Sequence, residues 1–133
     1  MNKLKGIVKN VLTSDHISIV DIDVDGWMFS SILIGTVENT DYLTEGRDVY
    51  VIFKETEVSI AKNLSGEISL RNRMKSVIKS IEKGKVLSRI TLDFAGKTIT
   101  SVITTRSTEK LRLQPGDEVE GLVKANEVTL MGV

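Results

Sequence analysis

The chain has 133 residues and 41% hydrophobic content, which predicts a packed core in a domain of ordinary length rather than disorder. Lysine plus arginine equal aspartate plus glutamate at 18 each, so no broad positive field favours general nucleic-acid binding. Cysteine is absent, which excludes disulfides, thiolate catalysis and cysteine-ligated metal sites.

The chain opens with the polar segment MNKLKGIVKN, which lacks the apolar core of a signal peptide. No apolar run approaches the roughly 18 residues of a membrane span. The lack of cysteine also fits a reducing compartment. We therefore expect a cytoplasmic protein that does not associate with membranes.

Short strands follow through the first half. In HISIVDIDV, β-branched residues alternate with polar ones, as in a strand with one buried face. Asp25 and Gly26 then separate this run from WMFSSILI, at a place where a hairpin needs residues that tolerate positive φ. The polar stretch GTVENTDYLTEG predicts one or two helical turns, with Thr36 as N-cap and Gly46 after the end. The segment DVYVIFKETEVSIA predicts the final strand pair.

The second half presents the same elements in the same order. The strand runs are VLSRITLDF and KTITSVIT, and Ala95-Gly96 stands between them. In the polar stretch TRSTEKLRLQPG, Ser107 is the candidate N-cap and Gly116 follows the end. Pro115-Gly116 predicts a tight turn before the last strands, in DEVEGLVKANEVTLM.

The two halves align at a single offset of 70 residues without a gap. Identical pairs include Asn2/Asn72, Lys5/Lys75, Asp23/Asp93, Gly26/Gly96, Gly46/Gly116 and Lys54/Lys124. Apolar positions keep the same phase, so the pattern indicates a duplication. We predict a first unit over residues 1–61, a linker over 62–68 and a second unit over 69–133.

The fold class that this pattern predicts is all-β. Four or five strands and one short helix per unit are typical of a small barrel of the oligonucleotide/oligosaccharide-binding (OB) type. A unit of this size buries only about 60% of its unfolded surface and is marginal alone. The two units should therefore pack on each other and on other chains.

Catalytic machinery is not evident in the sequence. The single histidine, His16, begins an apolar strand and suggests no pairing with a nucleophile, so a solvated or structural role is favoured. The carboxylates from Asp21 to Asp25 alternate along a strand without the glycine-centred spacing of a calcium loop, which favours a solvated face. The glycines are scattered and form no phosphate-binding loop. We predict a binding protein without enzymatic activity and without direct protein ligands to a metal.

Several cationic and hydroxyl side chains at element boundaries are not explained by folding. Arginine, lysine, hydroxyl and backbone N–H groups are the donors that a dianion requires. Each hydrogen bond to a charged group contributes about 1.5–3 kcal/mol, so a few that converge give micromolar or better binding. The candidates are Ser69, Arg71, Thr104, Ser107 and Lys124.

The segment SLRNRMKS, at residues 69–76, resembles the Ser-Ala-Arg-Asn-x-hydrophobic-Lys-Gly opening of the Mop domain. Mop domains are the units of the molbindins, which are molybdate-binding proteins. TITSVIT, LRLQPGDEV and VKANEVTL follow in the order of that family, with departures at Leu70 and Ser76. Because the first half aligns with the second, the resemblance covers nearly the whole chain as a tandem protein.

The resemblance implies two tandem five-stranded units, with six units around a three-fold axis, so that a tandem chain would form a homotrimer. It also implies molybdate or tungstate as the bound oxyanion, at interfaces between units. One side of the site would comprise Ser69, Arg71, Asn72, Lys124 and the Ala125 backbone. Thr104 and Ser107 match hydroxyls that a neighbouring unit contributes.

The first half lacks most of these groups. It begins at Met1 and has no Ser-x-Arg before Asn2. Its counterparts of Thr104, Ser107 and Ala125 are Ile34, Val37 and Glu55. Glu55 places a carboxylate beside Lys54, where it would repel a dianion. We therefore expect complete sites around the second half, with the first half retaining a structural role.

Each predicted ligand has an alternative role. Ser107 is also a candidate N-cap. Lys54 and Lys124 are also consistent with edge-strand charges that discourage aggregation. Arg71 is close in sequence to Glu67, with which it would form a solvated ion pair of little energetic weight.

Alternative functions also remain open at this point. One is a regulatory or structural oligomeric OB-like module without oxyanion affinity, although the chain has no helix-turn-helix or Walker motif. Another is an oligonucleotide-binding barrel, which requires exposed aromatic rings and a basic groove. Phe29, Phe53 and Phe94 occupy apolar strand positions and are expected in the core, which leaves Trp27 and Tyr42 as candidate exposed rings.

Overall fold

The computed structural model describes residues 1–35 and 43–133. The first half contains β1 (Asn2–Ser14), β2 (Ile17–Val24), β3 (Trp27–Ile34), β4 (Asp48–Phe53) and β5 (Ser59–Ala61). The second half contains β6 (Asn72–Lys83), β7 (Leu87–Phe94), β8 (Lys97–Thr104), α1 (Thr105–Lys110), β9 (Glu118–Val123) and β10 (Thr129–Gly132). Short 3₁₀ turns at Glu55–Glu57 and Ala125–Glu127 precede β5 and β10.

The strands form two five-stranded antiparallel sheets, which confirms the prediction of an all-β fold in two tandem units. The short helix predicted for the second half is α1. Its predicted counterpart in the first half, with Thr36 as N-cap, falls mostly on residues 36–42, outside the described residues.

The hairpin turns form where the sequence predicts them. Asp25 and Gly26 have φ of 50° and 91°, and Ala95 and Gly96 have φ of 49° and 85°. Two consecutive positive φ values are typical of a type I′ turn, which matches the twist of the flanking strands. The side chain of Asp23 accepts a hydrogen bond from the Gly26 N–H at 2.6 Å, and Asp93 and Gly96 are joined in the same way at 2.9 Å.

The two halves exchange their last strands. The strand order is β10-β4-β1-β2-β3 in one sheet and β5-β9-β6-β7-β8 in the other. β4 and β5 therefore do not pair with each other, because the extended residue Lys54 and the 3₁₀ turn after it lead the chain to the other sheet. Lys124 and its turn direct β10 onto β4 in the same manner.

Buried serine hydroxyls join each 3₁₀ turn by a hydrogen bond to the third strand of the other half. The Ser31 hydroxyl donates to the carbonyl of Val128 at 2.8 Å, and the Ser101 hydroxyl donates to that of Val58 at 2.6 Å. Val58 and Val128 each follow a 3₁₀ turn. These bonds satisfy buried polar groups, so they support the strand exchange at both ends of the interface.

A single hydrophobic cluster includes buried side chains from both halves. Phe29, Phe53 and Phe94 are 2% exposed or less, which confirms their predicted place in the core. Trp27 is half-buried and meets Phe94 edge to face, with ring centroids 5.1 Å apart. The core thus spans the interface instead of dividing into two separate units. Tyr42 lies outside the described residues.

Candidate functional site

Arg71 and Lys124 lie at the same end of one strand pair. In the ladder between β6 and β9, Asn72 is opposite Val123, and this is the outermost pair. Arg71 is the residue before Asn72 and Lys124 is the residue after Val123, so the antiparallel register brings both cations to this end. Ser69 lies two residues further out, and all three side chains are exposed.

Neither cation has a carboxylate partner in the described part of the chain. The ion pairs found there involve other basic groups, so the alternative pairing of Arg71 with Glu67 is not formed. Two like charges at one ladder end repel each other, and a bound anion would relieve that repulsion. The arrangement is therefore suited to a dianion.

Ala125 begins the 3₁₀ turn that directs the chain from β9 to β10 and is half-buried. This turn packs against β3 of the first half. The backbone after Lys124 is thus held by the other half of the molecule, next to the strand that contains Ser30 and Ser31.

Asn72 is placed differently from the other predicted ligands, because its side chain is fully buried. The Asn72 Oδ1 accepts from the backbone N–H of Ser30 at 2.7 Å, and its Nδ2 donates to the carbonyl of Ser30 at 2.9 Å. Asn2 forms the same two bonds with the backbone of Thr100, at 2.8 Å each. The two asparagines therefore join the halves reciprocally.

Thr104, not Ser107, is the N-cap of α1, so the predicted cap was wrong by three residues. The Thr104 Oγ1 accepts from the Ser107 N–H at 3.1 Å and donates its proton to the Ser107 Oγ at 2.9 Å. Thr104 has the extended backbone of an N-cap, with φ −68° and ψ 145°. Because the Ser107 hydroxyl accepts from Thr104, its own proton is free to point at another group.

The two sets of predicted ligands lie at opposite ends of β6. Ser69 and Arg71 precede its first residue, whereas Thr104 pairs with Leu87, which comes after β6 has ended. A single chain therefore does not bring the hydroxyl pair to Arg71 through this sheet. That separation agrees with the expectation that a neighbouring unit supplies Thr104 and Ser107.

The first half has the same backbone arrangement with different side chains. Asn2 is opposite Phe53 at the end of the β1/β4 ladder, and Lys54 follows. Lys54 lines a cavity of about 380 Å³ together with the carboxylates of Glu57 and Glu127. Ile34, the counterpart of Thr104, is 85% exposed and offers no donor. Val37 lies outside the described residues.

A cavity of about 580 Å³ lies between the linker and the strands β6 and β9. It contains none of the predicted ligands. Lys75 is the one basic side chain among its lining residues, against the carboxylates of Asp93, Glu118 and Glu120. This balance of charge does not favour an anion.

The described residues contain no group of three or more metal-ligating side chains that is close enough to hold an ion. The carboxylates from Asp21 to Asp25 have other partners: Asp21 accepts from the Ser30 hydroxyl at 2.7 Å, and Asp25 pairs with Lys97. His16 is exposed, in a turn with φ of 65°. None of the helices described is both long and apolar enough to cross a bilayer.

The sequence does not reveal the partner of Asn72. Ser30 was predicted only as part of a strand, and nothing in its own sequence context marks it as a contact. A signal was nonetheless present, because Asn2 and Asn72 are identical at a position where both strands begin. A polar residue that begins both strands, two residues before a buried apolar position, indicates a structural requirement that both share.

Comparison with known proteins gives four relevant matches. The TOBE domain model matches residues 68–130. The crystal structure of the cytoplasmic molybdate-binding protein ModG, with molybdate bound, is similar with a TM-score of 0.94 and 28% identity, over 99% of this chain and 96% of that one. Molybdenum-pterin-binding protein 2 of Clostridium pasteurianum is 35% identical over 65 residues, which are 48% of this chain and 96% of that protein.

A longer relative is the molybdenum import ATP-binding protein ModC of Brucella abortus, which is 31% identical over 126 residues. These residues are 94% of this chain and 33% of ModC, so the chain spans about a third of that relative. The match to a relative with a single unit, and the match to ModG along both halves, confirm the resemblance found in the sequence. The chain belongs to the molbindin family of Mop-domain proteins and contains two such units in tandem.

Proposed function

We propose that this protein binds molybdate or tungstate without transforming it, and stores or buffers the oxyanion in the cytoplasm. The observation that carries the proposal is the pair of exposed cations, Arg71 and Lys124, which meet at one ladder end without a carboxylate partner in the described residues. The molybdate bound to ModG, a protein of the same fold and family, supports the choice of ligand.

In this proposal, Ser69, Arg71, Lys124 and the Ala125 backbone form one side of each site. The buried Asn72 lies next to Arg71 in the chain and supports this side from within the protein. Arg71 and Lys124 supply charge-assisted hydrogen bonds, which are the strongest donors available to an oxyanion. The free hydroxyl proton of Ser107, oriented by Thr104, approaches from another copy of the chain. Six units from three chains would place such interfaces around a three-fold axis, so we propose a homotrimer.

The first test is calorimetric titration with sodium molybdate, sodium tungstate and sodium sulfate, with the mass in solution measured on the same sample. We expect molybdate and tungstate to bind with micromolar or better affinity to a trimer, and sulfate to bind much more weakly. Absence of heat with both molybdate and tungstate would refute the proposal. If only the second half binds, each chain contributes one site of this kind. Two such sites per chain would refute the restriction of binding to the second half.

Lys124 and Lys54 offer a matched pair of variants, because they occupy the same position in the two halves. We expect Lys124→Ala to weaken molybdate binding by at least about tenfold, since one charge-assisted bond contributes about 1.5–3 kcal/mol. Lys54→Ala should leave the affinity unchanged, because Lys54 has no equivalent of Arg71 beside it. Calorimetry on both variants checks this, and equal losses would contradict it.

A structural oligomer without oxyanion affinity is the second candidate function. The exposed apolar side chains of the first half favour it, since Ile17, Ile19 and Ile34 are 46%, 38% and 85% exposed. Ile17 is opposite Ile34 on neighbouring strands, so at least these two form a continuous surface. A trimer that binds neither molybdate nor tungstate would support this candidate.

A further inference from the structure

The side chain of Asn72 has no exposed surface, although its neighbours Arg71 and Lys124 are exposed. Both ends of its amide group are bonded to the backbone of Ser30, at 2.7 and 2.9 Å. We call this pair of bonds the Asn72 clamp. An amide held at both ends in this way is not oriented toward a ligand in solvent.

The clamp closes the free edge of a sheet. β3 is the last strand of its sheet and has a neighbour on one side only, β2. The backbone N–H and C=O of Ser30 would otherwise lack partners on the open side, and unpaired backbone groups near the core are costly. The Asn72 side chain replaces the missing strand at this one residue, and it thereby fixes the start of β6 against the first half.

Asn72 is also the residue of regular structure that is nearest in the chain to the proposed ligands Ser69 and Arg71. Asn72 is the first residue of β6, and residues 69–71 belong to no helix or strand. The Arg71 side chain has no hydrogen bond or ion pair of its own within the described part of the chain. The direction in which Arg71 leaves the ladder therefore depends on how firmly Asn72 is held.

We propose that Asn72 is a positioning residue of the oxyanion site: its clamp on Ser30 orients Arg71 toward the position beside Lys124 where the anion binds. This inference rests on the proposed function and adds the first half of the molecule to the site. Asn72 acts through Arg71 instead of touching the anion with its amide group. Preorganised donors bind more tightly because less ordering is needed when the ligand arrives.

Asn2 provides a matched control within the same chain. It forms the same clamp, on Thr100, with bonds of 2.8 Å, and its side chain is 5% exposed. The residue before Asn2 is Met1 instead of an arginine, and the lysine across its ladder end, Lys54, is followed by Glu55. Loss of the Asn2 clamp should weaken the fold to a similar degree without affecting oxyanion binding.

The experiment compares Asn72→Ala with Asn2→Ala in the full chain. Urea unfolding measures stability, and calorimetric titration with molybdate measures affinity. We expect similar losses of stability, because each variant leaves two backbone groups unpaired. We expect molybdate binding to weaken by about tenfold or more in Asn72→Ala and by less than about twofold in Asn2→Ala.

A third variant separates positioning from general destabilisation. This variant combines Asn72→Ala with Arg71→Ala and is compared with Arg71→Ala alone, by titration with molybdate up to millimolar concentration. We expect Asn72→Ala to reduce the remaining affinity by less than about twofold, because the arginine that Asn72 orients is absent from both proteins. A purely structural effect of Asn72 would instead reduce affinity by the same factor in both backgrounds, and that result would overturn the inference.

The other outcomes are equally decisive. Unchanged affinity in Asn72→Ala, or equal losses in the Asn72 and Asn2 variants, would overturn the inference while the proposed function stands. No binding of molybdate or tungstate by the unaltered protein would refute the proposed function, and this inference with it. If the alanine variants do not fold, Asn72→Ser and Asn2→Ser form a milder matched pair with the same expected difference.

Discussion

The cores of the two halves differ where Gly6 and Ser76 occupy the same position. A Cβ atom on Gly6 would lie 2.5 Å from Cγ2 of Ile22 and 2.8 Å from the carbonyl oxygen of Asp23. At the equivalent of Ile22 the second half has Leu92, which is branched one carbon further from the backbone. Ser76 therefore fits, buried, with its hydroxyl donating to the Met74 carbonyl at 3.0 Å.

Exchanging these two residues should have unequal effects on stability. Gly6→Ser forces Ile22 or the backbone of Asp23 to move, and overpacking of this kind costs about 1–3 kcal/mol. Ser76→Gly removes a small side chain from a strand and should cost about 0.5–1 kcal/mol. Urea unfolding of both variants measures the difference. If Gly6→Ser is as stable as the unaltered protein, the close approach of Ile22 does not exclude a side chain at position 6, and the explanation is wrong.

A second difference between the halves involves the neighbouring strands β6 and β9, on which Met74 is opposite Gly121. Gly121 in β9 leaves room for Met74, whose Cε lies 3.3 Å from the position of an added Cβ. The first half has Leu4 opposite Val51 at these positions. The longer, unbranched side chain of Met74 extends over Gly121, whereas the shorter Leu4 leaves room for the side chain of Val51.

The ladder between β6 and β9 has an ion pair on its outer face. Arg73 contacts Glu120 through two hydrogen bonds of 2.7 and 2.8 Å. The hydrogen bonds from Arg73 lower the pKa of Glu120 below its usual value of 4.5. The first half has Lys3 over the ring of Tyr50 instead, 4.0 Å from its centroid. Each pair ties the first strand of a half to its fourth strand.

The ion pair should make stability depend on pH in the acid range. Because the folded-state pKa of Glu120 is lowered, the pair stabilises the fold fully above pH 4.5, and this stabilisation is lost as pH falls through the folded-state pKa. Glu120→Gln should therefore lower the Tm at pH 7 and have a diminishing effect as pH falls below 4.5. Thermal unfolding between neutral and acid pH checks this.

Glu118→Gln is the control for that experiment. Glu118 lies on the same strand, is exposed, and forms no ion pair in the described residues. Its substitution should change the Tm little at any pH. A difference between Glu120→Gln and the unaltered protein that stays constant with pH would indicate lost packing instead of lost charge.

The linker also contributes to the second half. Lys62 donates to the carbonyls of Leu111 and Arg112, at 3.2 and 3.1 Å, and to the carboxylate of Asp117 at 3.1 Å. A cation at the C-terminal end of a helix interacts favourably with its unpaired carbonyl groups. The start of the segment between the halves is therefore bound to the second half, where it fixes the end of α1.

Strand exchange joins the two halves into one folded unit. Each sheet includes a strand from the other half, and one hydrophobic cluster crosses the interface. Removing either half would leave the other sheet without an edge strand and with its core exposed. A tandem chain of two marginal units thereby gains the buried surface of a larger domain.

Unfolding should consequently show one transition. Trp27, the only tryptophan, packs on Phe94 of the other half at 5.1 Å, so its fluorescence reports on the interface. Far-ultraviolet circular dichroism reports on all the strands. We expect the two signals to follow the same urea dependence at a fixed protein concentration. A fluorescence change that precedes the loss of strand signal would show that the halves separate before they unfold.

Much of this fold was predictable because its determinants are local. Alternating residues specify the strands, Asp25-Gly26 and Ala95-Gly96 specify the hairpins, and the repeat specifies two similar units. The order of Ser69, Arg71 and Lys124, read with the family resemblance, leads to an oxyanion site that stays a prediction. The helix N-cap was predicted three residues too late, since Thr104 and Ser107 both have hydroxyls and only the backbone conformation distinguishes them.

The strand exchange and the role of Asn72 depend instead on contacts between residues far apart in the chain. Alternation along β5 and β10 is the same whichever sheet receives them, so no local pattern identifies the partner. The bond between Asn72 and Ser30 joins residues 42 positions apart. Local periodicity thus determines which segments become strands, whereas their pairing depends on which free sheet edge lies beside each strand in the tertiary structure.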